Sequence, residues 1–407
     1  MLPTPLTIES LFGTLFDPEI WADPYPLYAE LRESGRVLPL GDSRWVVSGH
    51  AQARALLQHR GVSSDERRGT PYAPGVDDPY PPIMREVFLF ADPPDHTRLR
   101  NLVVRAFTPR QVRSIEPRAA RIVEGLLDEA HGRGTFDVVA DFAQPLAIEI
   151  ICELLGVPFS DRARFGSWGD PLARLIDPGA LRTAEQDAVA ARAAEAFAEY
   201  FDELIEARRV APGDDLLSEL ITAEEHGDRL TKRELVSVCL LLLVAGFETT
   251  INLIGNGFVA LMQNRESFDR LVAQPDLAGG AVNEFLRIDS PVQMTVRIAV
   301  EELELGGQRI PRGDSVINLL AAANHDPRVF DNPAVLDIGR DPNQHLAFGG
   351  GIHHCLGAAL ARTEAVAAFR GLVSRLADLE LVEAVRRPTF TLRGYSSVVA
   401  RFASPRG

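Results

Sequence analysis

Cys355 is the residue of this sequence whose surroundings point most clearly to chemistry. It lies in the run FGGGIHHCLG, residues 348–357, where three consecutive glycines come shortly before a predicted helix. Glycines allow a backbone to approach a flat ligand closely or to turn with positive φ. The positive end of the following helix would lower the pKa of Cys355, and the resulting thiolate would be a metal ligand or a nucleophile. The simpler alternative is a small buried thiol beside a flexible loop.

A group of polar residues inside an apolar helix is the second indication of chemistry. The segment 235–262 is apolar almost throughout, yet Glu248, Asn252 and Asn256 lie in its middle. The segment is long enough to span a bilayer, but polar side chains facing lipid would be costly, and neither an aromatic belt nor a second span accompanies it. A helix that is apolar on all sides in a globular protein lies at the centre of a large core. The sequence therefore predicts a core helix whose polar residues need a functional reason.

The elements that position these residues are mostly helices. Thr231 and Glu234 form a predicted capping box that begins the central helix. Residues 183–209 are predicted to form an amphipathic surface helix whose apolar stripe consists of Val189, Ala193, Phe197, Phe201 and Leu204. The other predicted elements are helices at 281–287 and 356–376, a Pro-rich loop at 61–90, and β-rich parts at about 36–48, 295–320 and 388–403. No repeat or linker divides the chain, so residues 1–407 are predicted to form a single, mainly α (α+β) domain.

Composition and charge exclude several classes of protein. The chain has 57 acidic and 42 basic residues, a net charge of −15, so its overall field repels nucleic acid and anionic membranes. Its three cysteines are too few and too scattered for a disulfide framework or a paired metal motif. The N-terminal residues have no cationic region followed by a long apolar run. These features predict a cytoplasmic protein with no nucleic-acid partner and no membrane anchor.

The cysteine run resembles the haem-binding loop F-G-x-G-x-H/R-x-C-x-G of the cytochrome P450 family. The matching positions are Phe348, Gly349, Gly351, His353, Cys355 and Gly357. Three further motifs of the family follow in the correct positions, so the resemblance covers essentially the whole chain and is closest to the soluble bacterial branch. It implies the cytochrome P450 fold, a many-helix domain with small β-sheets and a long central helix over haem b. It also implies that Cys355 is the ligand of the haem iron.

The run AGFETT, residues 245–250, resembles the acid-alcohol pair with which this family activates oxygen. Glu248 and Thr249 occupy the matching positions, and the small Ala245 and Gly246 would leave room for dioxygen at the haem. Cleavage of dioxygen requires protons in a dry pocket, which a hydroxyl and a carboxylate can deliver. The alternative is that Thr249 only bonds back to a helix carbonyl while Glu248 pairs with an arginine.

Two more motifs supply charged residues around the cofactor. Glu284 and Arg287 match the family's E-x-x-R, a structural ion pair on one helix face, and its third partner would be Arg328 or Arg340. The resemblance also implies a set of cations that holds the haem propionates; this set consists of His96, Arg100, Arg297 and His353. Taken singly, each of these four residues would be interpreted as a solvated surface residue, and the set of matching positions is what favours propionate binding.

The resemblance implies a mostly apolar substrate pocket and hence a small or medium-sized hydrophobic substrate. The candidate contacts are Ile83, Met84, Val87, Phe88, Leu242, Val292, Gln293, Met294, Tyr395 and Ser396. Core packing alone would explain most of these residues equally well. Substrate identity, the position and stereochemistry of oxidation, and the oligomeric state stay open. The sequence also leaves open whether the substrate arrives free or tethered to a carrier protein.

The resemblance implies a monooxygenase that inserts one oxygen atom of dioxygen into the substrate, by hydroxylation or epoxidation, in bacterial secondary metabolism. The chain carries neither a dinucleotide fingerprint nor cluster-binding cysteines, so electrons from NAD(P)H would arrive through a ferredoxin and its reductase. An acidic ferredoxin would need a basic docking patch, for which the candidates are Arg105, Arg110, Arg113 and Arg362. A haem-based sensor and a zinc or nucleophilic-cysteine site are the alternatives from other classes.

Overall fold

The computed structural model of the chain describes residues 13–15, 17–70, 82–106, 109–225, 228–375 and 379–402. Helices dominate these residues, and a one-turn π-helix at Val138–Ala143 and several 3₁₀ turns accompany them. The α-helices are α1 (Tyr25–Ser34), α2 (His50–Gln58), α3 (Asp95–Ala106), α4 (Pro109–Arg133), α5 (Gln144–Leu154), α6 (Arg162–Arg174), α7 (Ala184–Val210), α8 (Leu216–Thr222), α9 (Lys232–Gln263), α10 (Arg265–Ala273), α11 (Ala278–Ile288), α12 (Leu320–Ala323) and α13 (Ala358–Arg375).

The strands are short and form small sheets. They are β1 (Val37–Gly41), β2 (Arg44–Val47), β3 (Val62–Ser63), β4 (Thr135–Asp137), β5 (Glu224–Glu225), β6 (Asp228–Arg229), β7 (Thr295–Ala299), β8 (Leu303–Leu305), β9 (Gln308–Ile310), β10 (Ser315–Asn318), β11 (Leu379–Arg386) and β12 (Tyr395–Phe402). The largest sheet has the order β1-β2-β10-β7-β3, with β2 and β10 parallel and its other neighbours antiparallel. A second sheet has the order β11-β12-β4, and β5-β6 and β8-β9 form separate pairs.

Helix α9 runs through the main hydrophobic core. The predicted capping box is confirmed: the Glu234 amide donates to the Thr231 hydroxyl, and the Thr231 amide donates to the Glu234 carboxylate. Among the described residues, α9 alone has the length and hydropathy of a membrane span, and most of it is buried inside the protein. Packing against α5, α6, α7, α11 and α13 therefore accounts for its apolar composition.

Helix α7 shows where a sequence pattern loses accuracy. A capping box of Thr183 and Gln186 begins it, and Ala193, Phe197, Phe201 and Leu204 are buried as predicted. The prediction was wrong for Val189, which is 37% exposed, while Ala190 faces the core in its place. Each step of four residues turns the helix about 40° beyond a full rotation. After several such steps, a position that the pattern assigns to the apolar stripe no longer lies on the buried face.

Two smaller apolar clusters lie on the sheet side of the molecule. One joins α1 to β1, β2 and β10, and the other joins α2 to β7, β8 and β9. The loop of Cys355 contacts this region, because a Cβ on Gly351 would lie 2.1 Å from the carbonyl oxygen of Leu57 in α2. The fold thus places the loop between the sheet side and helix α13, which begins three residues after the cysteine.

Candidate functional site

The backbone around Cys355 has a tightly turned conformation. Gly349 and Gly351 have φ of 66° and 64°, which only glycine adopts without strain, and the Cys355 amide donates to the Phe348 carbonyl at 2.9 Å. The ring of Phe348 lies under the guanidinium of Arg362, whose carbon is 4.4 Å from the ring centroid. The glycine run therefore acts as the sequence indicated, since it permits the turns that bring Cys355 back to Phe348.

The pKa of Cys355 differs from the sequence-based expectation. The Gly357 amide and the charges of Arg100 and Arg362 favour the thiolate, but burial outweighs them and raises the pKa of the thiol. The prediction that the helix end would lower this pKa was wrong, because it ignored the cost of removing an anion from water. A cation bound to the sulfur would reverse the balance, since metal coordination deprotonates a thiol. The site is therefore suited to a metal-bound thiolate rather than to a free nucleophile.

The predicted cations converge on this loop. Arg100 donates from Nη2 to the carbonyl oxygen of His354 at 2.6 Å, and His96 lies one turn earlier on α3. The rings of His96 and His353 are 4.3 Å apart. The structure thus brings together residues from α3 and from the cysteine loop that are about 250 positions apart in the sequence.

The electrostatics of this cluster indicate an anionic ligand. Burial, followed by the charges of Arg297, His96 and Arg100, lowers the pKa of His353 to about 3. Burial also lowers the pKa of Arg297 to about 10, and among the described residues its guanidinium donates a hydrogen bond only to the adjacent Val296 carbonyl.

Within the described part of the chain, neither ring nitrogen of the buried His96 has a hydrogen-bond partner. The carboxylate of Asp92 raises the pKa of His96, but it accepts hydrogen bonds from Ser63 and Arg68 instead. Buried polar and cationic groups are normally paired, so this cluster fits the carboxylates of a cofactor such as haem.

Two small residues of α9 provide room for a flat group. Ala245 and Gly246 are exposed although the helix around them is buried, and a Cβ on Gly246 would have only the Ile151 side chain within 4 Å, at 3.9 Å. Together with the half-buried thiol and two arginines to which no described carboxylate is bonded, this space fits the planar, dianionic haem that the sequence resemblance implies. The residues present and the group are therefore compatible.

Glu248 and Thr249 lie beside this opening on α9. The Thr249 hydroxyl donates to the Ala245 carbonyl at 2.5 Å, and Glu248 pairs with Arg387, with Oε1 and Nη1 2.5 Å apart. Burial raises the pKa of Glu248, and the charge of Arg387 opposes that rise. These are the two contacts expected if Thr249 only bonds back to a helix carbonyl and Glu248 only pairs with an arginine. However, Oε2 of Glu248 is buried without a partner among the described residues, so the carboxyl keeps an oxygen available for proton exchange.

The E-x-x-R pair is a buried network of charges. Glu284 and Arg287 form two hydrogen bonds of 2.7 and 2.8 Å, and both side chains are 0% exposed. Of the two arginines that the sequence left open, Arg340 is the third partner, with Nε 3.1 Å from Oε2 of Glu284. The Arg328 amide instead donates to Asp326. The network joins α11 to the chain that leads into the cysteine loop.

The candidate substrate residues do not form one group. Met84, Val87, Phe88 and Tyr395 belong to the main core, and Ile83, Leu242 and Val292 pack against it. Gln293 accepts a hydrogen bond from the Tyr28 hydroxyl and donates one to the Ser290 carbonyl. Met294 packs in the smaller cluster near α1. Ser396 is exposed, and its hydroxyl donates to the Val385 carbonyl. The first seven residues are therefore compatible with an apolar pocket, whereas the last three have other packing or hydrogen-bonding partners.

Sequence reasoning missed two residues that contact the functional ones. Arg387 pairs with Glu248, and Arg362 lies over Phe348 and donates to Asn283 at 3.0 Å. The sequence predicts Arg362 only as a docking residue, and no motif or spacing marks Arg387. Both contacts arise from the path of segments distant in sequence, which no local pattern reveals.

Comparisons with known proteins show the family to which the chain belongs. The family described as cytochrome P450 matches residues 10–276 and 272–391. The chain is 42% identical over 393 residues to cytochrome P450 monooxygenase PikC of Streptomyces venezuelae. This alignment covers 94% of this chain and 91% of PikC. It is 40% identical to 6-deoxyerythronolide B hydroxylase of Saccharopolyspora erythraea, in an alignment that covers 93% of this chain and 96% of the hydroxylase. The solved structure of P450BioI in complex with an acyl carrier protein carrying hexadec-9Z-enoic acid is 37% identical, with a TM-score of 0.89 over 95% of this chain and 99% of that one.

The fold and the site define a haem-thiolate oxygenase, and the chain belongs to the cytochrome P450 family. It is a cytochrome P450 monooxygenase, an oxidoreductase that inserts one oxygen atom of dioxygen into an organic substrate. Its cofactor is haem b, and its electrons come from NAD(P)H through external redox partners. The mainly helical fold with small sheets is confirmed, and no comparison supports the sensor alternative.

Proposed function

We propose that Cys355 ligates the haem iron and that His96, Arg100, Arg297 and His353 bind the propionates. Haem bound through a cysteine thiolate would supply the activation of dioxygen. The single observation that carries this assignment is the position of these four residues beside the half-buried Cys355 with no carboxylate bonded to them among the described residues. Charge-assisted hydrogen bonds from arginine to carboxylate are the strong kind, so the cluster would orient the cofactor as well as bind it.

Glu248 and Thr249 are proposed to supply protons for this chemistry. Oε2 of Glu248 lacks a partner among the residues that the structure describes, and burial raises the pKa of this carboxyl, which favours the protonated form that a proton donor needs. The Thr249 hydroxyl donates to a helix carbonyl, which leaves its oxygen lone pairs free to accept a proton. The Glu248 side chain is 3% exposed, so its carboxyl would exchange protons through bonded groups rather than directly with bulk water.

The proposed substrate is apolar and of small or medium size, and it contacts Ile83, Val87, Phe88, Leu242 or Val292. These residues belong to or pack against the main core, and the ring of Phe88 lies 6.1 Å from that of His96. The name of 6-deoxyerythronolide B hydroxylase gives an organic substrate for that protein, and P450BioI has been solved in complex with an acyl carrier protein that carries a fatty acid. A carrier-tethered acyl chain is therefore included among the substrates of this chain.

A ferredoxin with its reductase is the proposed electron donor, and the proposed location is the cytoplasm. Arg105 is exposed, and Arg362 is half-buried near Cys355. The side chains of Arg110 and Arg113 lie outside the described residues. Because the chain is acidic overall, a docking site for an acidic ferredoxin requires such a local basic patch.

The reduced carbon monoxide spectrum tests the ligand assignment. The wild-type protein loaded with haem is expected to show the shifted Soret band of a thiolate-ligated carbonyl complex. The Cys355→Ser variant should lose that band, while the control Cys152→Ser should keep it, because Cys152 lies in the main core. A Cys355→Ser variant with an unaltered spectrum would refute the assignment.

A further inference from the structure

The charged partner of Glu248 comes from the C-terminal part of the chain rather than from its own helix. Arg387 follows directly after β11, and its Nη1 lies 2.5 Å from Oε1 of Glu248 and 2.8 Å from Oδ1 of Asp170 on α6. The side chain of Glu248 is 3% exposed, whereas that of Asp170 is 54% exposed. One guanidinium nitrogen therefore joins a buried carboxylate to a carboxylate that reaches solvent.

Other contacts hold Arg387 in place independently of the two carboxylates. Its Nε donates to the Tyr395 carbonyl at 3.1 Å, and its amide donates to the Gly394 carbonyl at 3.1 Å. Arg174 on α6 fixes the next residue of the segment by donating to its carbonyl at 2.9 Å. The segment also approaches α9 closely, because a Cβ on Gly394 would lie 1.9 Å from Oδ1 of Asn252. The guanidinium is thus aimed at Glu248 by the path of its own backbone.

Two buried oxygens on adjacent turns of α9 have unused acceptor capacity. Within the described ranges, neither Oε2 of Glu248 nor Oδ1 of Asn252 has a hydrogen-bond partner. Nδ2 of Asn252 lies 3.4 Å from Oε1 of Glu248, the oxygen that Arg387 also contacts. Buried acceptors are rarely left unpaired, so an ordered water or a transferable proton is expected at these atoms.

We propose that Arg387 is a positioning residue of the proton relay and that Asp170 connects the relay to solvent. Arg387 fixes Oε1 of Glu248, which leaves Oε2 as the oxygen that exchanges protons. Its second contact, with Asp170, places the entry of protons on the α6 side of the molecule. This inference rests on the proposed function of Glu248, and Arg387 acts only through that residue.

The charges around Glu248 determine whether each substitution raises or lowers its pKa. Arg387 faces it from the segment after β11, Asp170 and Arg174 face it from α6, and the Asn252 amide lies on α9. Burial raises the pKa of Glu248, Arg387 and Arg174 oppose that rise, and Asp170 adds to it. Removal of the Arg387 charge therefore raises this pKa further, and removal of the Asp170 charge lowers it. Substitutions on two different elements should shift one titration in opposite directions.

The test is an infrared titration of the protonated Glu248 carboxyl in the holoprotein, with the band assigned by its loss in Glu248→Gln. Arg387→Gln is expected to move the midpoint up by roughly one to three pH units. Asp170→Asn should move it down by a smaller amount, because Asp170 is half-exposed and solvent screens its charge. Arg387→Lys keeps the charge and should restore a midpoint near that of the wild type.

The control is Arg401→Gln, which breaks the exposed ion pair with Glu380 and should leave the midpoint unchanged. An unchanged midpoint in both Arg387→Gln and Asp170→Asn, or shifts of the same sign, would overturn the inference. If Arg387→Gln fails to fold, the downward shift in Asp170→Asn and the wild-type midpoint of Arg387→Lys carry the same test.

A second readout separates this inference from the proposed function on which it rests. Peroxide released per NADPH consumed is measured against pH, with plant-type ferredoxin and its reductase as electron donors. If Glu248→Gln leaves this ratio unchanged, the proposed function of Glu248 fails and the inference fails with it. If Glu248→Gln changes the ratio while the Arg387 and Asp170 variants leave the titration unshifted, only the inference fails.

Discussion

Replacement of Glu284 by Gln is expected to lower the free energy of unfolding by about 3–5 kcal/mol. The side chain of Glu284 is 0% exposed and accepts two hydrogen bonds from Arg287, which is equally buried. It also accepts from Arg340, Asn343 and the backbone amide of Asp337. The substitution preserves the volume of the side chain, so the loss reflects the removed charge rather than a cavity.

The magnitude follows from the surroundings of Arg287. Its other hydrogen bonds go to the neutral carbonyls of Asn324, Pro333 and Val335. Within the part of the chain that the structure describes, no second carboxylate contacts it, so Glu284→Gln leaves a buried guanidinium without a counter-charge. An uncompensated buried charge costs several kcal/mol, which is a large share of the roughly 5–15 kcal/mol that stabilise a typical protein.

The assay is urea unfolding of the haem-loaded protein, followed by circular dichroism. The matched control is Glu380→Gln, which removes one partner of an exposed ion pair and should change the free energy of unfolding by less than about 1 kcal/mol. A loss in Glu284→Gln no larger than that of the control would refute the reasoning, because it would show that the charge of Arg287 is compensated in another way.

Two further predictions concern acid stability and helix capping. Although burial raises the pKa of Asp289, the charges of Arg393 and Arg386 outweigh burial and hold this pKa well below its usual range. The carboxylate therefore stabilises the fold at pH values above its usual pKa of 3.8, and this contribution is lost as the pH falls from there through the folded-state pKa. In unfolding measurements, Asp289→Asn should make the free energy of unfolding depend less steeply on pH in the acid range. An unchanged slope would contradict this prediction. Thr231→Ala removes the capping box of α9 and should cost about 1 kcal/mol in urea unfolding, whereas an unchanged midpoint would show that the helix end is held by other contacts.

The sequence predicted those features that depend on residues close together in the chain. The capping box of Thr231 and Glu234 involves residues three apart, and so does the pairing of Glu284 with Arg287, so helix geometry alone determines both contacts. The turns at Gly349 and Gly351 follow in the same way from the absence of a side chain. Contacts of this kind hardly depend on how the rest of the chain folds.

Features that depend on tertiary contacts could not be predicted. The choice of Arg340 over Arg328, and the pairing of Glu248 with Arg387, depend on the paths of loops that no spacing rule describes. The pKa of Cys355 was wrongly predicted for a related reason. A local argument about a helix end includes the nearby amides but not the extent of burial, and here burial has the larger effect.

Helix α9 links stability and reactivity in a single element. The same thirty-two residues fill the centre of the core and carry Ala245, Glu248 and Thr249. An engineer who reshapes the active site by changing α9 will therefore also loosen the packing of the helices around it. The proposed contact Phe88 of the 3₁₀ turn Phe88–Phe90 lies outside α9 but belongs to the same core, so a change there carries a similar cost.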